Sequence, residues 1–325
     1  MKLVTFCSPV TSAPHIGAVL DDGAIVDFSA ASGAPAMRSM LALIDGGEAA
    51  LAHAGDLFNR RDVVHSSGQA QLLAPLPRPR QMRDFLCFEK HFRQSRANGA
   101  VIGATEGAER DPAKVQIPAV WFEEPIYYKG NRFSVVGPDA NVVVPSFTRM
   151  LDFELEFGIV LGLGGRDIAR GDARRHIFGY TIFNDFSARD QQMREMQGTL
   201  GPTKSKDFDT GNVLGPWLVT ADEIADPYAL TMTARVNGET WGTGSSSTMH
   251  HRFEDILVHV SRDETLHPGE FFGSGTVGDG CGLEQGRFLS VGDVVELEVQ
   301  GLGVLRNRLV ARTDSSSFNR EAEQP

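Results

Sequence analysis

The hydrophobic pattern is clearest between Asp152 and Leu161. Phe153, Leu155, Phe157, Ile159 and Leu161 alternate with Glu154, Glu156, Gly158 and Val160. Alternation with period two over this length predicts a β-strand. One face is uniformly apolar and must lie on a core. The other carries two glutamates about 6.6 Å apart along the strand, then turns apolar at Val160, so it too is expected to be covered. Carboxylates crowded in a covered place repel each other and bind protons more tightly. A bound cation removes that repulsion, whereas a solvated strand face carrying two Glu would need none. A second strong β pattern runs from Phe178 to Asp185. It ends against Ser187-Ala-Arg-Asp190, a near capping box able to start a helix on which Arg189 and Gln192 share a face.

Elsewhere the pattern is shorter. Residues 16–28 predict two strands around the Asp22-Gly23 turn signal. From Met37 to about Val64 the spacing turns helical, with a break at Gly46-Gly47. The proline-rich connector Gln71–Gln81 marks the expected boundary between a small α/β N-terminal domain (1–75) and a larger domain (76–313). After it comes Asp84, then a stretch carrying Glu89, His91, Arg93 and Gln94 whose later part fits a helix. Residues 98–117 are rich in Gly, Ala and charge and predict a mobile loop or lid. Phe253, Ile256, Leu257 and Val260 form a packing stripe at helical spacing, which His250 and His251 precede as structural or exposed residues. Gly301-Leu-Gly303 predicts a hairpin turn. Residues 314–325 predict a disordered tail.

Composition narrows the function classes. The chain has 325 residues, 41% of them hydrophobic, enough for a substantial core. Its formal net charge of -11 argues against nucleic acid as a partner. There is neither a transmembrane-length apolar run nor a secretory h-region, so a cytoplasmic protein is expected. The three cysteines have no metal-type spacing. Gly162-Leu-Gly-Gly-Arg-Asp167 fails the dinucleotide pattern at its last position. What remains is a set of carboxylates, Glu154, Glu156 and Asp185, whose all-oxygen donors favour Mg2+, Mn2+ or Ca2+. Arg189, Lys206 and Lys129 are candidate cations for an anionic substrate, and His91 is a candidate base near neutral pH.

The strings DFELEFG, FGYTIFNDFSARDQQ, LGPTKSKDF and LHPGE with SGT occur in one order. Together they resemble the fumarylacetoacetate hydrolase superfamily over roughly residues 76–312. The resemblance implies an α+β, mainly β fold: a mixed β-sandwich or β-roll with short flanking helices after a small α/β N-terminal domain. It implies Glu154, Glu156 and Asp185 as metal ligands, with Asp84 as a fourth. His91 falls at the catalytic histidine and Glu284, in Gly-Cys-Gly-Leu-Glu, at the residue that orients it. Arg189, Gln192 and Lys206 fall where substrate is held and oxyanions are stabilised. Tyr128, Lys129 and Thr276 fall at substrate-contacting positions. The chain departs from the pattern at Gln94, where smaller members carry a Glu, and at Leu86, where fumarylacetoacetases carry a Tyr. The expected activity is metal-dependent hydrolysis of a C–C bond in a 2,4-dioxo acid, with His91 activating water. Decarboxylation, hydration or isomerisation of oxaloacetate or 2-hydroxy-dienoate substrates is the alternative within the family, and a non-catalytic small-acid binder is the alternative outside it. A homodimer is expected by analogy with the family.

Overall fold

The computed structural model describes residues 1–102 and 109–312. The expected tail, and residues 103–108 of the expected lid, lie outside the described residues. The fold is α+β and mainly β. Its centre is a twelve-stranded mixed sheet, and a five-stranded sheet built from Thr231–Val236, Glu239–Ser245, Val294–Val299, Gly303–Val310 and Asn141–Val143 forms a second layer.

The alternation of the glutamate strand (Leu155–Leu161) explains the layering. Phe153, Leu155, Phe157, Ile159 and Leu161 pack into one apolar core with Met232, Ala234, Leu297 and Leu305 of the five-stranded sheet. Val160, on the other face, packs into a second core with Phe183, Phe271 and the helices Met40–Asp45 and Gly47–Arg60. Both faces are covered, as the turn to Val160 predicts. Gly158 is required between them, because a Cβ there would lie 2.4 Å from the Phe271 ring.

Within the large sheet the relevant order is Asn212–Thr220, Ile177–Asp185, Leu155–Leu161, Phe271–Gly273, Met82–Phe85 and Tyr127–Lys129. The predicted N-terminal hairpin forms from Pro14–Val19 and Ile25–Asp27, and Lys2–Cys7 joins it to the sheet beside Asn212–Thr220. Among the described residues no helix is long and apolar enough to cross a membrane.

Two local expectations need correction. The helix starting at Glu89 runs to Ile102, so residues 98–102 are helical rather than loop. Besides buried Phe92 and Ala97, it has polar anchors: Gln94 Nε2 donates to Asp279 Oδ1 at 2.8 Å, and Asn98 Nδ2 donates to the Glu284 carbonyl at 2.6 Å. Composition cannot show such distant partners. The helix Arg189–Glu195 does not use Ser187 as its cap. Ser187 pairs instead with Asp152 in a short ladder, and Asp190 turns back to Thr148 and the Arg149 amide.

Candidate active site

Strand register assembles the carboxylates. In the antiparallel pair Glu156 faces Phe183, two residues before Asp185, so Glu156 and Asp185 project from the same sheet face. On the other side Gly158 pairs with Gly273, and Gly273 with Asp84. Asp84 therefore joins that face, and as part of the strand Met82–Phe85 it caps no helix. Gly273 lets it reach: a Cβ there would sit 2.4 Å from Asp84 Oδ1 and 3.2 Å from Glu156 Oε2. The three buried carboxylates Asp84, Glu156 and Asp185 bring one oxygen each within 4.8 Å of one another.

Glu154 faces a cationic side of the same cluster. Lys206 Nζ donates to Glu154 Oε2 at 2.6 Å and to Asp185 Oδ2 at 2.5 Å. Arg189 Nη2 lies 2.8 Å from Glu154 Oε1, although its geometry there is not that of a hydrogen bond. Arg189 Nε donates to Asp152 and its Nη1 to Gln192 Oε1, each within 2.9 Å. Tyr128 Oη donates to Asp185 Oδ2 at 2.5 Å. Thr276 Oγ1 donates to Glu156 Oε1 at 3.2 Å. Lys129 stands beside Arg83 in the ladder, on the opposite face from Asp84, and is exposed. The fold thus brings together every proposed site residue except Lys129.

His91 lies beside this cluster, near enough to influence the Glu154 charge. Its Nδ1 lies 2.9 Å from Glu284 Oε1, and both residues are buried. Glu284 Oε2 accepts from the Cys281 amide at 3.2 Å. An ionised carboxylate only accepts, so this pairing puts a proton on Nδ1 and leaves Nε2 as the exchanging nitrogen.

The electrostatics are lopsided. Burial and the Asp185 charge push Asp84 up to about 8. Burial and Asp84 push Glu156 well above the usual carboxylate range. Burial lifts Asp185 to about 6 against the pull of Lys206. For Glu154 burial would act upward too, but Lys206 and Arg189 outweigh it and hold the group below its ordinary value. Burial alone would lower Lys206, yet Asp185 and Glu154 keep it raised.

These carboxylates fit a hard divalent cation. The donors are all oxygen, and Asp185 Oδ1 is buried with no hydrogen-bond partner among the described residues. Among the described residues, Asp84, Glu154, Glu156 and Asp185 share only Lys206 and Arg189 as counter-charges in ion pairs, and Arg189 also serves Asp152. The excess negative charge must be met by protons or by a cation.

Residues 81–310 match the family model for the fumarylacetoacetate (FAA) hydrolase C-terminal region. The chain belongs to the fumarylacetoacetate hydrolase family. It is 33% identical over 313 residues to a mitochondrial oxaloacetate tautomerase from Homo sapiens, covering 95% of this chain and 92% of that protein. It is 30% identical over 308 residues to the oxaloacetate tautomerase YisK of Bacillus subtilis, covering 90% and 95% respectively. The family fold is also seen in a fumarylacetoacetate hydrolase from Exiguobacterium antarcticum, with a TM-score of 0.74, 27% identity and coverage of 96% of this chain and 100% of that one. Family relatives thus include tautomerases as well as hydrolases. The curated relatives favour the isomerase alternative over the C–C hydrolysis expected first.

Asp152 was not singled out as a site residue from the sequence. It adjoins the glutamate pair, but its partners lie 37 and 130 positions away. Alternation marks a strand and carries no information about such contacts.

Proposed function

We propose that this chain is a divalent-metal-dependent tautomerase, interconverting the keto and enol forms of a 2-oxo dicarboxylic acid of the oxaloacetate type. The observation that carries this reading is a histidine whose second ring nitrogen has no hydrogen-bond partner among the described residues, beside a cluster whose other titrating groups are held protonated or paired. Likeness to oxaloacetate tautomerases over nearly the whole chain supports it. Asp84, Glu156 and Asp185 would hold Mg2+ or Mn2+. When bound, the ion supplies Lewis acidity that favours the enolate form of the substrate.

The residues divide the work by charge. Arg189 and Lys206 are cations in a buried place and attract the substrate's carboxylate and developing oxyanion. Lys206 is held protonated by Asp185 and Glu154, so it is no base. Burial and Asp185 raise the Tyr128 phenol well above its ordinary value, so it too keeps its proton. His91 remains as the proton acceptor. Going from keto to enol, the C3 proton passes to His91 Nε2, the C–H electron pair becomes the C2–C3 double bond, and the C2–O π pair moves onto the 2-oxo oxygen, which takes a proton from solvent as His91 releases its own to solvent. Going back, His91 returns a proton to C3. Glu284 holds the ring so that Nε2 faces the substrate.

The test follows the ultraviolet absorbance of enol-oxaloacetate with Mg2+ or Mn2+ present, with pyruvate formation monitored to detect decarboxylation. Wild type should speed the interconversion, and His91→Ala should slow it by at least about 100-fold while keeping its metal-induced rise in Tm. Wild type that leaves the oxaloacetate rate unchanged but cleaves an acylpyruvate would overturn this reading in favour of hydrolysis, in which the same pair activates water.

A further inference from the structure

Asp152 is fully buried, and its carboxylate accepts four hydrogen bonds. Oδ2 accepts from Arg189 Nε at 2.8 Å and from the Leu283 amide at 2.9 Å. Oδ1 accepts from the Gly282 amide at 2.7 Å and from its neighbour Phe153 at 2.9 Å. A carboxylate offers about four acceptor directions, and all are in use. The approach is close enough to need glycine: a Cβ on Gly282 would lie 2.7 Å from Asp152 Oδ1 and 2.1 Å from the Arg287 carbonyl oxygen.

Its partners belong to the two working sides of the site. Arg189 is the cation that faces Glu154 and, on the proposed reading, attracts the substrate. Gly282 and Leu283 form the turn that carries Glu284, which holds His91. One carboxylate therefore joins the charge-binding side to the proton-handling side.

We propose that Asp152 is a positioning residue that fixes Arg189 and the His91–Glu284 pair relative to each other. It touches no substrate and acts through both partners. This rests on the tautomerase reading for its kinetic test but not for its spectroscopic one. Asp152→Asn keeps the shape but turns an N–H pair toward donors that need an acceptor. With correct folding checked by near-ultraviolet circular dichroism, it should raise KM through Arg189 and lower kcat through His91. The combined loss should be on the order of 100-fold in kcat/KM, with metal affinity unchanged. Combining it with Arg189→Met or with Glu284→Gln should give much less than the product of the single losses. A residue that merely holds the fold would lower Tm and leave those effects multiplicative. A folded Asp152→Asn within threefold of wild type, or multiplicative losses, overturns the proposal.

If Asp152→Asn does not fold, Arg189→Met reads the coupling from the other end. The downfield imidazole proton of the His91–Glu284 bond should shift in the nuclear magnetic resonance spectrum, because freeing Asp152 moves the Gly282–Glu284 turn. An unmoved resonance overturns the proposal. That measurement needs no substrate, so wild type inactive on oxaloacetate would refute the function while leaving this test intact.

Discussion

Replacing Asp84 by Asn should make the metal-free protein more stable at pH 8 while weakening its hold on metal. Asp84 rises from 3.8 to about 8 in the folded chain. A carboxyl whose folded value lies above its unfolded value binds more protons in the native state between those limits. Stability then falls as pH rises through that window, and the loss is complete above about pH 8. The slope from one such group is about 1.4 kcal/mol per pH unit. Over the whole window that sums to roughly 6 kcal/mol, comparable to the net stability of a domain. An amide does not titrate, so Asp84→Asn should flatten the slope by about that amount, and also relieve the repulsion on Glu156. Urea unfolding in chelator at pH 5, 6, 7 and 8 measures it: the variant should gain several kcal/mol over wild type at pH 8 and progressively less toward pH 5. With Mg2+ or Mn2+ added, the order should reverse, because wild type gains a ligand and the variant has lost one. Equal slopes in the two proteins, or a variant less stable than wild type at pH 8 in chelator, would refute the idea that the cluster stores repulsion for a cation to relieve.

Other perturbations probe the same geometry from different sides. Lys206→Met leaves buried Asp185 and Glu154 without their ammonium partner, and should destabilise the metal-free protein by about 3–5 kcal/mol. Divalent metal should narrow that gap in thermal unfolding, and a loss under about 1 kcal/mol would mean that the lysine is not the main counter-charge. Gly273→Ala places a methyl group against Asp84 Oδ1 and 3.0 Å from the Phe183 ring. Calorimetric titration should show metal affinity lowered by about tenfold or more, and an unchanged affinity would mean that Asp84 is not a ligand.

How much of this was legible in the chain depends on how far each fact reaches. Period two in Phe153–Leu161 fixed the strand and its two faces, because side chains alternate by local backbone geometry alone. The turn to Val160 announced that the glutamate face was covered. Residue types and strand ends already offered Asp185, Lys206 and His91; the family strings added Asp84 and the pairing of His91 with Glu284, as resemblance rather than physics. Local chemistry misled at Ser187, where a long-range ladder outweighed a cap, and in 98–102, where anchors on distant loops extend a helix.

The sequence by itself determined the strand faces, the excess of acid over base and the oxygen-only donor set. Tertiary structure alone decided which carboxylates meet, since Asp84 joins Glu156 only across a glycine in a third strand. It also turned Lys129 away, because neighbouring positions on a strand point to opposite faces and the ladder register chose Tyr128. Asp152 became a junction only when Arg189 and the Gly282–Glu284 turn closed on it. Hydrogen bonds between residues more than a hundred positions apart leave no periodic trace, so packing had to reveal them.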